Sequence, residues 1–297
     1  MRYGLRCVEC MISRQVELAK ANGDEEKGVK YLKEVMKIIA NAPEEAASPY
    51  ISSRCNRVFA EMYYPGDRFK EIKKRSNEFV MSQADYVREK IAASGDPLKT
   101  AIKFARVGNY IDFGALRNDV NDETFLELME KAEGEYVDEA EYNNFTKELS
   151  QGENVVYLTD NAGEIVLDVF LIEQIKKRYP HINVNVIVRG GPIHNDATIE
   201  DAKAVGLTEM VDVTDNGTDI AGTDLEEISG DAMEIIKSAD VIISKGQGNF
   251  ETLHGCGLNI YYIFLCKCDW FVDIFGLPKF SGMFLNEKRM KKIRQDH

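Results

Sequence analysis

Hydrophobic spacing gives the two halves of this chain different grammars. In the first half apolar residues recur at helical intervals. Leu32, Val35, Met36 and Ile39 fall at i, i+3, i+4 and i+7 and stop at Asn41-Ala42-Pro43. A broken apolar stripe of Phe69, Ile72, Phe79, Val80, Tyr86, Val87 and Ile91 predicts one long polar-faced helix over 67–94. Asp96-Pro97 restarts a helix carrying Ile102, Phe104 and Ala105, and Asn121-Asp122-Glu123-Thr124 reads as a cap and acidic first turn for 125–132. After Gln151-Gly152 short apolar runs at 155–158, 184–188, 210–213, 241–243 and 260–265 read as strands. Helical stretches at 163–178, 198–205 and 231–239 separate them. Near-continuous apolar strands divided by helices predict a parallel sheet covered on both faces. The expected fold is therefore a parallel-sheet three-layer α/β domain over 151–297, preceded by an all-helical N-terminal domain over 1–150.

Polar and glycine clusters stand just past the apolar runs: Asp160-Asn161-Ala162-Gly163-Glu164, Arg189-Gly190-Gly191-Pro192 leading to Asn195-Asp196, Asp215-Asn216-Gly217, and Lys245-Gly246-Gln247-Gly248-Asn249. In a parallel sheet the strand C-termini share one edge, where ligands of open α/β sheets bind. A carboxylate beside an amide oxygen at Asp160 and Asn161 suits Mg²⁺ or Mn²⁺, and Asp196 supplies a third oxygen if its strand is a neighbour. Each motif also has a plain structural reading, with Asp160, Asn195 or Asp196 capping a helix and Arg189 pairing with surface acid. His194 reads as a surface or supporting residue, because no second His or Cys lies at metal spacing nearby.

In the last cluster, Gly246 and Gly248 free backbone N–H groups to approach phosphate oxygens, with Lys245 as a point charge and Asn249 beside them. The motif is neither a P-loop nor a dinucleotide fingerprint, since Glu251 stands where the third glycine belongs. Lys267, between Cys266 and Cys268, falls on the same edge. Gly108-Asn109-Tyr110-Ile111-Asp112-Phe113-Gly114 reads either as a connecting turn or as a cleft wall that brings Asn109 and Asp112 to the ligand. Cys7-x-x-Cys10 puts two thiols on one face of the first helix, short of the ligands a zinc site needs.

Charge and composition narrow the partners. A formal charge of −13, from 37 basic and 50 acidic residues, argues against a nucleic-acid binder. It leaves room for a small anion held by a few placed cations. No run approaches the roughly 18 apolar residues of a membrane span, and the start lacks the apolar core of a signal peptide. Six cysteines are too sparse for a disulfide scaffold, so a cytoplasmic, reducing setting is expected.

In order and spacing, these motifs resemble the damage-control phosphatase family, also known as the eighty-ninth domain of unknown function. The resemblance runs over nearly the whole chain. It rests on Cys7-x-x-Cys10, the segment from Ala105 to Gly114, Asp160-Asn161-x-Gly163-Glu164, Arg189-Gly-x-Pro192, Asn195-Asp196-Ala197-Thr198 and Lys245-Gly-x-Gly-Asn249. The cysteine pair and compact size look like its stand-alone archaeal and bacterial branch. The resemblance implies a helical region joined to an α/β domain and hydrolysis of phosphate monoesters of small, often damaged metabolites. It further implies a divalent metal (Mn²⁺, Ni²⁺, Co²⁺ or Mg²⁺) on Asp160, Asn161 and Asp196, Lys245 on the substrate phosphate, and Glu164 in support or in proton handling. A haloacid-dehalogenase-type attack by Asp160 would want a second Asp two residues on, where this chain has Ala162, so activated water is favoured. The competing expectations are an S-adenosylmethionine-dependent methyltransferase and a non-catalytic phosphometabolite-binding protein.

Overall fold

A computed structural model of the chain describes residues 1–108 and 122–290. Eight helices come first: α1 (Leu5–Ala21), α2 (Glu25–Ala40), α3 (Ser48–Met62), α4 (Lys70–Ser82), α5 (Ala84–Ala93), α6 (Pro97–Val107), α7 (Asp122–Gly134) and α8 (Glu139–Gln151). Strand and helix then alternate through β1 (Asn154–Leu158), α9 (Glu164–Arg178), β2 (Asn183–Val188), α10 (Ile199–Ala204), β3 (Asp212–Asp215), α11 (Gly230–Lys237), β4 (Val241–Lys245), α12 (Gly246–Leu253), β5 (Ile260–Leu265), α13 (Asp269–Phe275) and β6 (Gly282–Asn286).

The sheet order is β3-β2-β1-β4-β5-β6. All pairings are parallel except β5 with β6. The chain order reverses between β1 and β4, the crevice where such sheets take ligands. Strand alternation sends Tyr157, Val186, Ile243 and Tyr261 into a core shared with α5–α9, and Leu158, Ile187, Ile242 and Tyr262 into a second core with α11–α13. Helix α9 is buried on nearly every side, as expected of a helix clamped between a sheet and other helices. A smaller cluster of Ala19, Tyr31, Val35, Cys55 and Phe59 holds α1–α3 together.

The structure amends several expectations. An antiparallel strand, β6, extends the parallel sheet. Its short apolar run, Met283-Phe284-Leu285, is too brief beside a basic tail to stand out by pattern. The single helix over 67–94 is two, because Gln83 takes φ −96° and ψ 5° and interrupts the helical run. The third strand starts at Asp212 rather than at 210; as a partly exposed edge strand it accepts polar residues that apolar counting skips. On α2 the buried line is Tyr31 and Val35, while Met36 is 52% exposed. No helix of the described residues is long and apolar enough to cross a membrane.

Candidate active site

β1 carries Asp160 and Asn161 to the carboxyl edge of the sheet, and the turn behind them is fixed from two sides. Gly163 takes φ +79°, a conformation that costs glycine little. Its N–H donates to Asn77 Oδ1 on α4 at 2.6 Å. The exit of β2 crosses back over the same turn. Asn161 and Asp196 form an antiparallel bridge. Ala162 N–H donates to the Asn195 carbonyl at 2.8 Å, and Ala197 N–H to the Asp160 carbonyl at 2.7 Å. These backbone bonds bring Asp160, Asn161 and Asp196 together.

Hydrogen bonds then orient the three side chains. Asn161 Nδ2 donates to Asp160 Oδ2 at 2.7 Å and to Glu164 Oε2 at 3.0 Å. With both amide protons so directed, its oxygen is turned away from these carboxylates, on a residue that lines the cleft. Arg189 reaches the carboxylates from beneath. Its Nε donates to Asp196 Oδ2 at 2.7 Å, its Nη1 donates to Asn249 Oδ1 at 3.2 Å, and its Nη2 lies 3.6 Å from Asp160 Oδ1. Arg189 and Asn249 are buried behind the floor as braces. Asn249 Nδ2 donates to the carbonyls of Thr159 at 3.0 Å and Lys245 at 2.7 Å, tying the ends of β1 and β4 together.

Lys245 is placed differently from the phosphate contact expected of it. Period-two alternation puts it on the same face as Ile243, toward α6 and α9 and away from the open edge. Its ammonium is fully buried and donates to the Ala105 carbonyl at 2.9 Å, Glu164 Oε1 at 2.7 Å and Asp168 Oδ1 at 2.5 Å. Those three bonds use all its donors. Burial works against this ammonium, but Asp168 and Glu164 outweigh it and hold its pKa above the usual lysine value. Glu164, also fully buried, links Lys245 to Asn161.

Burial is the main force on the carboxyl groups. It pushes Asp160 well above the usual carboxylate range; Glu164 and Asp196 add to the rise, and Arg189 and Lys267 oppose it. Asp168 is pushed up to about 6 by burial, with the Lys245 ammonium opposing.

The cleft above this floor has a volume of about 570 Å³, within the usual range for small-molecule sites of roughly 300–1,000 Å³. Gln247, Gly248 and Lys267 form one side. α12 starts there without a side-chain cap, so its first N–H groups are available to an anion. Gly246 has φ +79°, and a Cβ on it would stand 2.1 Å from Asp160 Oδ2. Only glycine lets this backbone approach the carboxylate. Lys267 N–H donates to Gln247 Oε1 at 2.7 Å, fixing the lysine beside the helix start.

The opposite side is α1 together with the segment leading into α4. Cys7 and Cys10 of α1 and Cys268 line it as free thiols. Asn109 and Asp112 lie outside the described residues. In the third cluster Asn216 is buried. Its Oδ1 accepts from Gly190 N–H at 2.9 Å and Thr218 N–H at 3.0 Å, which shapes the loop after Arg189.

Five contributors lie outside the glycine-polar motifs. Lys73, Ser76 and Asn77 are polar residues on the buried face of α4, and Asn77 braces the Gly163 turn. Their i, i+3, i+4 spacing on a packed helix was the available signal. Arg68 and Trp270 also line the cleft, and neither belongs to a glycine-polar cluster.

Two carboxylates and an oriented amide oxygen make a hard-oxygen donor set, which fits a divalent cation such as Mg²⁺ or Mn²⁺. Among the described residues no group of three or more His, Cys, Asp or Glu side chains stands close enough to hold a metal. Among the described residues, an ion here would draw on the Asn161 amide oxygen as well as on the two carboxylates.

Residues 5–281 match the model of the damage-control phosphatase ARMT1-like domain. A damage-control phosphatase of Pyrococcus horikoshii is 34% identical over 297 residues, covering 97% of this chain and 99% of the relative. A damage-control phosphatase of Archaeoglobus fulgidus is 33% identical over 275 residues, covering 91% and 93%. The crystal structure of a DUF89 family protein from Pyrococcus horikoshii superposes with a TM-score of 0.85 at 32% identity, covering 97% of this chain and 99% of that one. With a family model matched over nearly its whole length and full-length relatives a third identical, the chain belongs to the damage-control phosphatase ARMT1-like family.

Proposed function

We propose that this protein hydrolyses phosphate monoesters of small metabolites, damaged ones among them, with a divalent cation held by Asp160, Asn161 and Asp196. The observation that carries this reading is the meeting of two carboxylates and an oriented amide on the floor of one cleft, beside an uncapped helix start and Lys267. Bound there, Mn²⁺, Ni²⁺, Co²⁺ or Mg²⁺ would neutralise charge on a phosphoryl oxygen and supply Lewis-acid chemistry.

The chain's own groups do the rest. Lys267 and the N–H groups of Gln247 and Gly248 receive the equatorial phosphoryl oxygens, placing positive charge where it builds in the transition state. Arg189 holds Asp196 and Asn249 in position, and Lys245 acts at one remove by fixing Glu164 and, through it, the Asn161 amide. The names of the Pyrococcus and Archaeoglobus relatives support a phosphatase over a methyltransferase. The test is turnover of an aryl phosphate with each of the four metals. Asp160→Ala and Asp196→Ala should each lower kcat/KM by about a hundredfold or more while circular dichroism stays unchanged. Wild-type rates in either variant would overturn the site assignment.

A further inference from the structure

One cation of the cleft is held in a way the hydrolytic machinery does not use. Arg68 lies in the segment between α3 and α4 and lines the cleft from the helical side. Its guanidinium is 4.3 Å from the centroid of the Phe59 ring and 5.4 Å from that of Phe69. Two aromatic faces therefore fix its position. It is half-buried, and among the described residues no carboxylate forms a salt bridge with it. Its neighbour Asp67 is engaged elsewhere, with Lys73 at 3.0 Å and Phe69 N–H at 2.8 Å. Two other cleft cations differ: Arg6 pairs with Asp273 at 2.5 Å, and Lys267 sits in the field of Asp160.

A half-buried cation without a counter-charge costs stability that stacking offsets only in part. Burial accordingly pulls the Arg68 guanidinium below its ordinary pKa, and only Tyr31 and Asp67 act against it. Neither belongs to the Asp160–Asn161–Asp196 floor; Arg68 lines the helical side of the cleft, where the ring of its stacking partner Phe69 meets that of His194 at 6.3 Å. Tyr31 donates to Gln15, which lines the cleft together with Arg14. Arg14 is exposed and, among the described residues, also lacks an ion pair. A planar guanidinium stacked on aromatics and open on one edge is suited to bidentate recognition of an oxyanion.

We propose that Arg68 forms a second anion subsite, and that the ester this cleft takes carries a further carboxylate or phosphate remote from the bond that is cut. The proposal rests on the phosphatase reading for the cut bond. The cleft's size leaves room for such a ligand, and Arg14 provides a second grip from α1.

Trp270 is the chain's one tryptophan and lines the cleft, so its fluorescence reports binding whether or not turnover occurs. The experiment titrates full-length protein in Mn²⁺ with two matched pairs, sorbitol 6-phosphate against 6-phosphogluconate and glycerol 3-phosphate against 3-phosphoglycerate. The members of each pair differ in a terminal carboxylate. The expected result is a Kd about tenfold lower for the carboxylated member of at least one pair. Arg68→Met keeps the stacked bulk and should shrink that ratio to within about twofold, while Arg68→Lys should retain an intermediate ratio. A wild-type ratio near one for both pairs, or a ratio that survives Arg68→Met, overturns the subsite. Absence of aryl phosphate turnover with any of the four metals would sink the phosphatase reading instead, which is a separate result.

Discussion

Lys245 lies behind the cleft floor, bonded to Glu164 and Asp168 rather than facing the open edge. Its charge is matched by Glu164 and Asp168, all three side chains having no solvent exposure. One oxygen of Asp168, Oδ2, has no hydrogen-bond partner among the described residues. Removing the ammonium leaves two buried carboxylates facing each other, a defect of about 3–5 kcal/mol. Lys245→Met should therefore lower the urea midpoint sharply at neutral pH. The sign of its pH dependence follows from Asp168, whose folded pKa is raised to about 6 from an ordinary 3.8. A raised folded pKa means that the native state binds more protons than the unfolded chain between those values, so stability falls as pH rises through them. Without Lys245 the Asp168 carboxyl loses the ammonium that opposes its rise and is pushed higher still. The variant's deficit should shrink as pH falls from about 7.5 to 5, measured by urea unfolding at each pH. A deficit independent of pH would sink this account of the buried cluster. The sequence made the lysine visible as a candidate, but not its direction, because alternation along β4 turns on where the strand ends.

At the scale of elements, the site is made by junctions, above all where β4 runs into α12. Gly246 is the residue through which that junction passes Asp160. Gly246→Ala places a Cβ at an oxygen of Asp160 and forces a side chain onto φ +79°, a strain of about 1–3 kcal/mol. The cheaper relief is for Asp160 to swing away, so metal-dependent turnover should drop by about a hundredfold with a smaller change in melting temperature. Turnover near wild type would show that Asp160 keeps its position regardless. Much of this level was legible beforehand. The parallel strands β1, β2, β4 and β5 are mostly apolar because both faces are covered, and glycine clusters mark strand ends. What escaped were features whose pattern is set by tertiary contact. β6 is a short run completed only by pairing with β5. α4 buries Lys73, Ser76 and Asn77 because Asp201 and the Gly163 turn await them.

For the molecule as a whole, the cleft lies along a seam, with the sheet edge on one side and α1 and the α3–α4 segment on the other. Arg57 pairs with Asp219 and Arg54 with Glu227 at 3.2 Å along the same seam. A ligand that binds only the assembled seam must stabilise the fold by mass action, by about 2.7 kcal/mol at a hundred times its Kd. For a chain of this size that corresponds to a melting shift of roughly 5 °C. The formal charge of −13 complicates the reading, since a strongly acidic surface gathers divalent cations diffusely. The two effects separate on one substitution. Mn²⁺ should raise the melting temperature of the wild type saturably, and a chelator should reverse the rise. Asp196→Ala changes the charge by one unit in thirteen, so it should leave any diffuse contribution nearly intact while removing the saturable part. Differential scanning calorimetry at fixed ionic strength measures both. An equal saturable shift in wild type and Asp196→Ala would place the cation elsewhere and detach the triad from metal binding altogether.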